Sequence, residues 1–187
     1  MNKSRLFKCL AIVAFSATMA TTASAQEPTK QDYKVAKKEA KEKKKEGWRI
    51  NPGDLSLVEQ IARSNCIIRN KAIWLTGLGE ATGSIKSVVR SQALFEAKLE
   101  LVKAIIQAAG VENWGGNKED VMTLIDFKEE NKAIYANEIK HPDIITDCYK
   151  DETNGNVTVL IRIALTKEDS MKSYEKMNKL YKDLMNK

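Results

Sequence analysis

The chain has 187 residues, with 31 Lys+Arg against 25 Asp+Glu, a single histidine and three cysteines. That composition excludes a disulfide-dense scaffold and a histidine-cluster metal centre, and no apolar run reaches the roughly 20 residues that cross a bilayer. The length suits one domain with a sizeable core.

Met1 to Lys8 is short and basic, Cys9 to Met19 is apolar, and Ala23-Ser24-Ala25 is a small-residue cleavage pattern. Together they predict a secretory signal peptide over residues 1–25 and a mature chain beginning near Gln26. Removing that segment takes away three basic residues and no acidic ones, which lowers the formal charge from +6 to +3. The expected location is the periplasm. Cys9 precedes the apolar run instead of following it, so a lipoprotein anchor is not expected. An exported chain meets no nucleotide pool, and neither a cofactor nor a nucleic acid is expected.

Residues 26–47 read as a Lys/Glu-rich tail. Lys34 to Glu46 holds seven lysines, three glutamates and two alanines in 13 residues. These are strong helix formers without an apolar stripe, so a solvated or frayed helix is expected. The single domain spans 48–187. Trp48-Arg49-Ile50 reads as an anchor onto it, and Asn51-Pro52-Gly53 as a turn. Ser56 and Glu59 form a capping box for a short helix, with Asp54 as the competing cap. Leu57, Val58, Ile61 and Ala62 give that helix its buried face.

Ala72 to Leu78 predicts a strand, with Gly79 to Gly83 as the connection to a long helix over Ser84 to Ala109. Ala93, Ala97, Leu101, Ile105 and Ala108 recur at i, i+4 spacing, and the alanines suit close approach to a sheet. Gly110 is the expected C-cap. A more polar helix is expected over Lys118 to Ile139. Ile144 to Lys150 and Asn156 to Leu165 predict two strands around Asn154-Gly155, a strong hairpin signal. In the last strand Val157, Val159, Ile161, Ile163 and Leu165 alternate and face the core. Thr158, Leu160 and Arg162 lie opposite and are the candidate contact surface, exposed to solvent or to a partner. Lys167 to Asn186 closes the chain as an amphipathic helix carrying Met171, Tyr174, Met177, Leu180, Tyr181 and Leu184 on one side.

Gly77, Gly79 and Gly83 make G-x-G-x-x-x-G between a strand and a helix. Such a loop can cradle a phosphate, but a dinucleotide fold needs an acidic residue after a second strand about 20 residues on, and a helix still runs there. A tight structural turn with positive φ is the better reading. Cys66 and Cys148 are either a disulfide, worth about 4.5 kcal/mol in the chain-entropy model, or two buried thiols. His141, just before Pro142, reads as a turn residue. Lys34, Lys37, Lys38, Lys41, Lys43, Lys44 and Lys45 offer weak contact with an anionic surface, although Glu39, Glu42 and Glu46 are interleaved with them and dilute the field. No G-x-S-x-G or H-E-x-x-H motif occurs, so no catalytic or metal residue is assigned.

Three blocks carry a family resemblance: the Lys-rich tail running into Gly47-Trp48-Arg49-Ile50-Asn51-Pro52-Gly53, the segment Trp74 to Gly83 with its following helix, and the Asn154-Gly155 hairpin. Together they resemble a group of uncharacterised exported proteins of Bacteroidetes. The second and third blocks also resemble LPP-twenty-like surface lipoproteins and the N-terminal domain of the flagellar T-ring protein. The resemblance implies an α+β fold: a small antiparallel sheet with a long helix across one face, a dodecin-like core, plus additional N- and C-terminal helices. The expected function is that of a non-enzymatic cell-envelope protein acting through contact with another envelope protein or with itself. The alternative is a carrier of a small hydrophobic or aromatic ligand held between the long helix and the sheet.

Overall fold

The computed structural model describes residues 27–53, 55–112, 114 and 129–185. The predicted signal peptide, Asp54 and the first part of the helix expected over 118–139 lie outside them. Five helices and four strands follow one another among the described residues: α1 (Lys30–Lys45), β1 (Arg49–Ile50), α2 (Leu57–Arg69), β2 (Trp74–Gly83), α3 (Lys86–Glu112), α4 (Glu129–Glu138), β3 (Asp143–Asp151), β4 (Val157–Thr166) and α5 (Lys167–Met185).

The strands form one antiparallel sheet in the order β1-β3-β4-β2. Its centre is the hairpin expected at Asn154-Gly155. Gly155 takes φ +81°, and the turn is closed by Glu152 N–H donating to Asn156 O at 2.8 Å and Gly155 N–H donating to Glu152 O at 3.1 Å. A left-handed residue there is cheap only for glycine. His141 takes φ 49° in the bend that ends the connection from α4, consistent with its reading as a turn residue.

The alternation in β4 sorts two layers. Val157, Val159, Ile161, Ile163 and Leu165 are all buried against α3, together with Tyr174, Met177 and Tyr181 of α5 and Tyr135 of α4. Fully burying one aliphatic side chain of this size stabilises by about 1.5–3 kcal/mol, so this face holds most of the core. The stripe expected on α5 is only partly buried, since Met171 and Leu184 remain exposed. The long helix runs through Gly110 to Glu112, so Gly110 is an interior residue and not a cap.

The glycine segment differs from the expectation. Gly77, Gly79 and Gly83 lie within the ten-residue strand β2, paired with β4 in continuous register from Trp74↔Thr166 to Gly83↔Val157. None of the three has a positive φ. Their role is steric. A Cβ on Gly77 would run into Ala97 O and stand 2.7 Å from Leu101 N, and one on Gly79 would run into Ala93 O and Ala97 N. The helix backbone lies directly on the strand backbone at these two positions, which the matching alanines on α3 permit.

The second face of the sheet also differs. Ala36 and Ala40 of α1 pack with Trp48, with Leu57, Ile61 and Ala62 of α2, and with Cys148 of β3. A smaller cluster of Ile67, Trp74, Ile145 and Ala164 continues this layer. The expected solvated helix is therefore docked onto the domain. Two alanines and an aspartate four residues apart suffice as its inner face, because α2 approaches closely. Asp32, 2% exposed, receives the Arg69 guanidinium of α2 at 2.6 Å, and Asn65 donates to Glu39 at 3.2 Å. Thr29 and Asp32 form a reciprocal capping box at the start of α1, as Ser56 and Glu59 do at the start of α2. Trp48 is buried and β1 pairs with β3, so the predicted anchor holds.

Candidate functional site

The expected contact surface is largely covered. Thr158 is 2% exposed, and its hydroxyl is shared between Thr82 at 2.8 Å and Glu152 at 2.6 Å. Leu160 packs against the α1–α2 cluster, and Arg162 is half-buried, with burial pushing its pKa below the ordinary value. The inner face of β4 is as the alternation predicts, while on the outer face Leu160 and Ala164 meet the α1–α2 layer instead of solvent and Thr158 is covered by Thr82 and Glu152.

What stays open is the neighbouring strand. β2 is an edge of the sheet, with no partner on its other side among the described residues. Native sheets usually blunt such an edge with lysine, proline, a bulge or short length. β2 has none of these: it is ten residues long, its register with β4 is continuous, and Glu80 is its one charge. Thr76, Leu78 and Glu80 share the outer face, and Leu78 is 40% exposed.

The helix above this edge is unguarded too. Arg90 of α3 pairs with Asp147 at 2.6 Å and Lys86 sits 3.1 Å from the Tyr149 ring centroid, so that flank of α3 faces β3. At about 100° per residue, Val88 lies about 200° around the helix from both. Val88 is 59% exposed, and Ile85 and Phe95 are exposed with it.

Two grooves lie on the other side of the molecule. One, of about 500 Å³, runs past Lys44, Gly47, Trp48, Arg49 and Leu57. Its tryptophan is flanked by Lys43 Nζ at 5.0 Å and Lys150 Nζ at 5.3 Å from the ring centroid, a cation–π arrangement. The other, of about 480 Å³, holds Asp147, Gln60, Arg63 and Arg90. Asp147 accepts from Arg90 Nε at 2.7 Å and from Asn51 Nδ2, while its own N–H donates to Gln60 Oε1 at 3.0 Å. The carboxylate thus ties α3 and the segment after β1 to β3, the backbone N–H ties in α2, and the carboxylate is not placed to take a proton from a substrate. Nothing in the sequence pattern marked these partners, which are 57 to 96 residues apart.

No disulfide joins Cys66 and Cys148. Both are buried in different settings: Cys66 Sγ accepts from Asn70 Nδ2 at 3.7 Å, and Cys148 Sγ donates to Leu160 O at 3.8 Å. Burial pushes the Cys148 thiol up to about 11, which keeps it protonated and a poor nucleophile. Among the described residues no three His, Cys, Asp or Glu side chains converge to hold a metal, and no helix is long and apolar enough to cross a membrane. Between α3 and β2 the backbones touch at Gly77 and Gly79, leaving no room for a ligand there.

No protein-family model, curated protein or solved structure matches the chain.

Proposed function

We propose that this chain is a non-enzymatic, exported cell-envelope protein that works by associating with a second copy of itself. The observation that carries the reading is the long, unguarded β2 edge. Unpaired strand N–H and C=O groups demand a strand as partner, and identical strands pair antiparallel about a two-fold axis. A pair centred on Leu78 sets Leu78 against its mate and Glu80 against Thr76, so the lone charge on each strand avoids its twin. The basic leader and Ala23-Ser24-Ala25 support export. The close helix–sheet contact at Gly77 and Gly79 argues against the carrier alternative.

Light scattering across concentrations tests the reading. The expected mass is twice that of the chain, falling to one chain when Leu78→Lys sets two ammonium groups face to face. A monomer at all concentrations up to about 1 mM, well above the usual affinity range of specific complexes, would refute it.

A further inference from the structure

We infer that α1 is a docking face for a membrane surface bearing anionic phospholipid headgroups. In sequence the acidic residues of this segment interrupt the lysines and dilute their field. In the folded helix they do not. At about 100° per residue, Lys44, Lys37, Lys30, Lys41, Lys34, Lys45 and Lys38 succeed one another across an arc of about 120°, with no acidic residue inside it. All seven are exposed. Asp32, Glu39, Glu42 and Glu46 fall together on the other flank, where Asp32 is neutralised by Arg69 and Glu39 is engaged by Asn65. Lys43 leaves the set, turning inward over Trp48.

The orientation is held by the fold. Ala36 and Ala40 are buried on α2, so the lysine arc points away from the body along about 22 Å of helix. A pre-docked helix has no ordering to undergo on binding. Charge complementarity sets the partner's sign, and the chemistry of the arc selects a bilayer. Ammonium groups on flexible stems act as point charges without the bidentate geometry of arginine. They suit a fluid array of headgroups better than the fixed pattern of a folded protein. Half-exposed Tyr33 borders the arc, an amphipathic ring of the kind that rests at a bilayer interface. The attraction acts within a Debye length and is screened by salt.

The test is vesicle co-sedimentation of protein expressed from the full chain, in the form the cell processes. Phosphatidylglycerol and phosphatidylcholine vesicles are compared at about 20 mM and 500 mM salt, where the Debye length falls several-fold. Two variants are matched in charge: Lys34, Lys38, Lys41 and Lys45→Gln on the arc, and Lys71, Lys176, Lys179 and Lys182→Gln at exposed positions elsewhere. Glutamine keeps helix propensity close to lysine's, and circular dichroism checks that both variants fold. The expected result is binding to phosphatidylglycerol alone, lost at high salt, reduced roughly 100-fold or more by the arc variant and less than about threefold by the matched one. Absence of binding to phosphatidylglycerol overturns the inference. So does equal loss in both variants, which would mean net charge alone, and so does capture by a soluble polyanion such as heparin without any by vesicles.

Discussion

Gly77 and Gly79 are the residues on which the core depends most sharply. Each supplies a missing Cβ where the α3 backbone rests on the strand, and backbone atoms cannot step aside as a side-chain tip can. Gly77→Ala and Gly79→Ala are each expected to lower unfolding free energy by about 3 kcal/mol, the upper range for overpacking. Gly83→Ala meets only a methyl of Val89 at 3.0 Å and should cost about 1 kcal/mol. Urea unfolding of the three variants checks the ranking, and equal costs would contradict the close-contact account. A period-2 signal was present here: Gly77, Gly79, Ala81 and Gly83 are the small residues of one strand face, matching Ala93 and Ala97 on the helix. The glycine spacing nevertheless points to a loop, because loops are where glycines usually serve. For Cys148, a thiol pushed up to about 11 and shielded from solvent should react with a thiol reagent at pH 8 only after unfolding. Rapid labelling of the native protein at Cys148 would contradict its burial.

At the scale of elements, α1 is the part whose place was least legible. Its inner face is two alanines and Asp32, too sparse for an apolar stripe, and the residues that complete it, Arg69 and Asn65, lie on another helix. Hydrogen bonds from Arg69, then Thr29, hold the Asp32 carboxyl well below the usual aspartate range. A carboxylate with a lowered native pKa adds stability above its unfolded value, and that stability is lost as pH falls through the native value. The docking of α1 should therefore be fully supported above about pH 4 and weaken on further acidification. Asp32→Asn should remove that dependence and cost about 2 kcal/mol at neutral pH, the range for a hydrogen bond to a charged group. Trp48 fluorescence, at the end of α1, reports the movement. An unchanged acid profile in the variant would assign the pH response elsewhere. The α2, β3 and β4 segments were legible, because their caps, turn and alternation are encoded within a few neighbouring residues.

At the scale of the molecule, the sheet is covered on one face and partly on the other, and its long edge strand is β2. The α3 layer covers the glycine side, the α1–α2 layer covers β3 and the nearer part of β4, and β2 is left at the margin. Association through β2 and attraction through α1 use different sides of the chain, so one can be tested without disturbing the other. Export has its own check: protein recovered from the cell envelope should show an N-terminus near Gln26 on sequencing. Recovery with Met1 intact would remove the signal-peptide reading.

The sequence alone determined the hairpin at Asn154-Gly155, the inward face of β4, the long helix and its alanine seam. Each is written in local periodicity or turn chemistry, which act over a few residues. Only the tertiary structure decided that the glycines belong to a strand, that Thr158 and Leu160 are covered, that the two cysteines stay unbridged, and that the lysines of α1 share one outward arc. Those outcomes depend on which elements meet in space, set by contacts between residues tens of positions apart, and no local pattern carries that information.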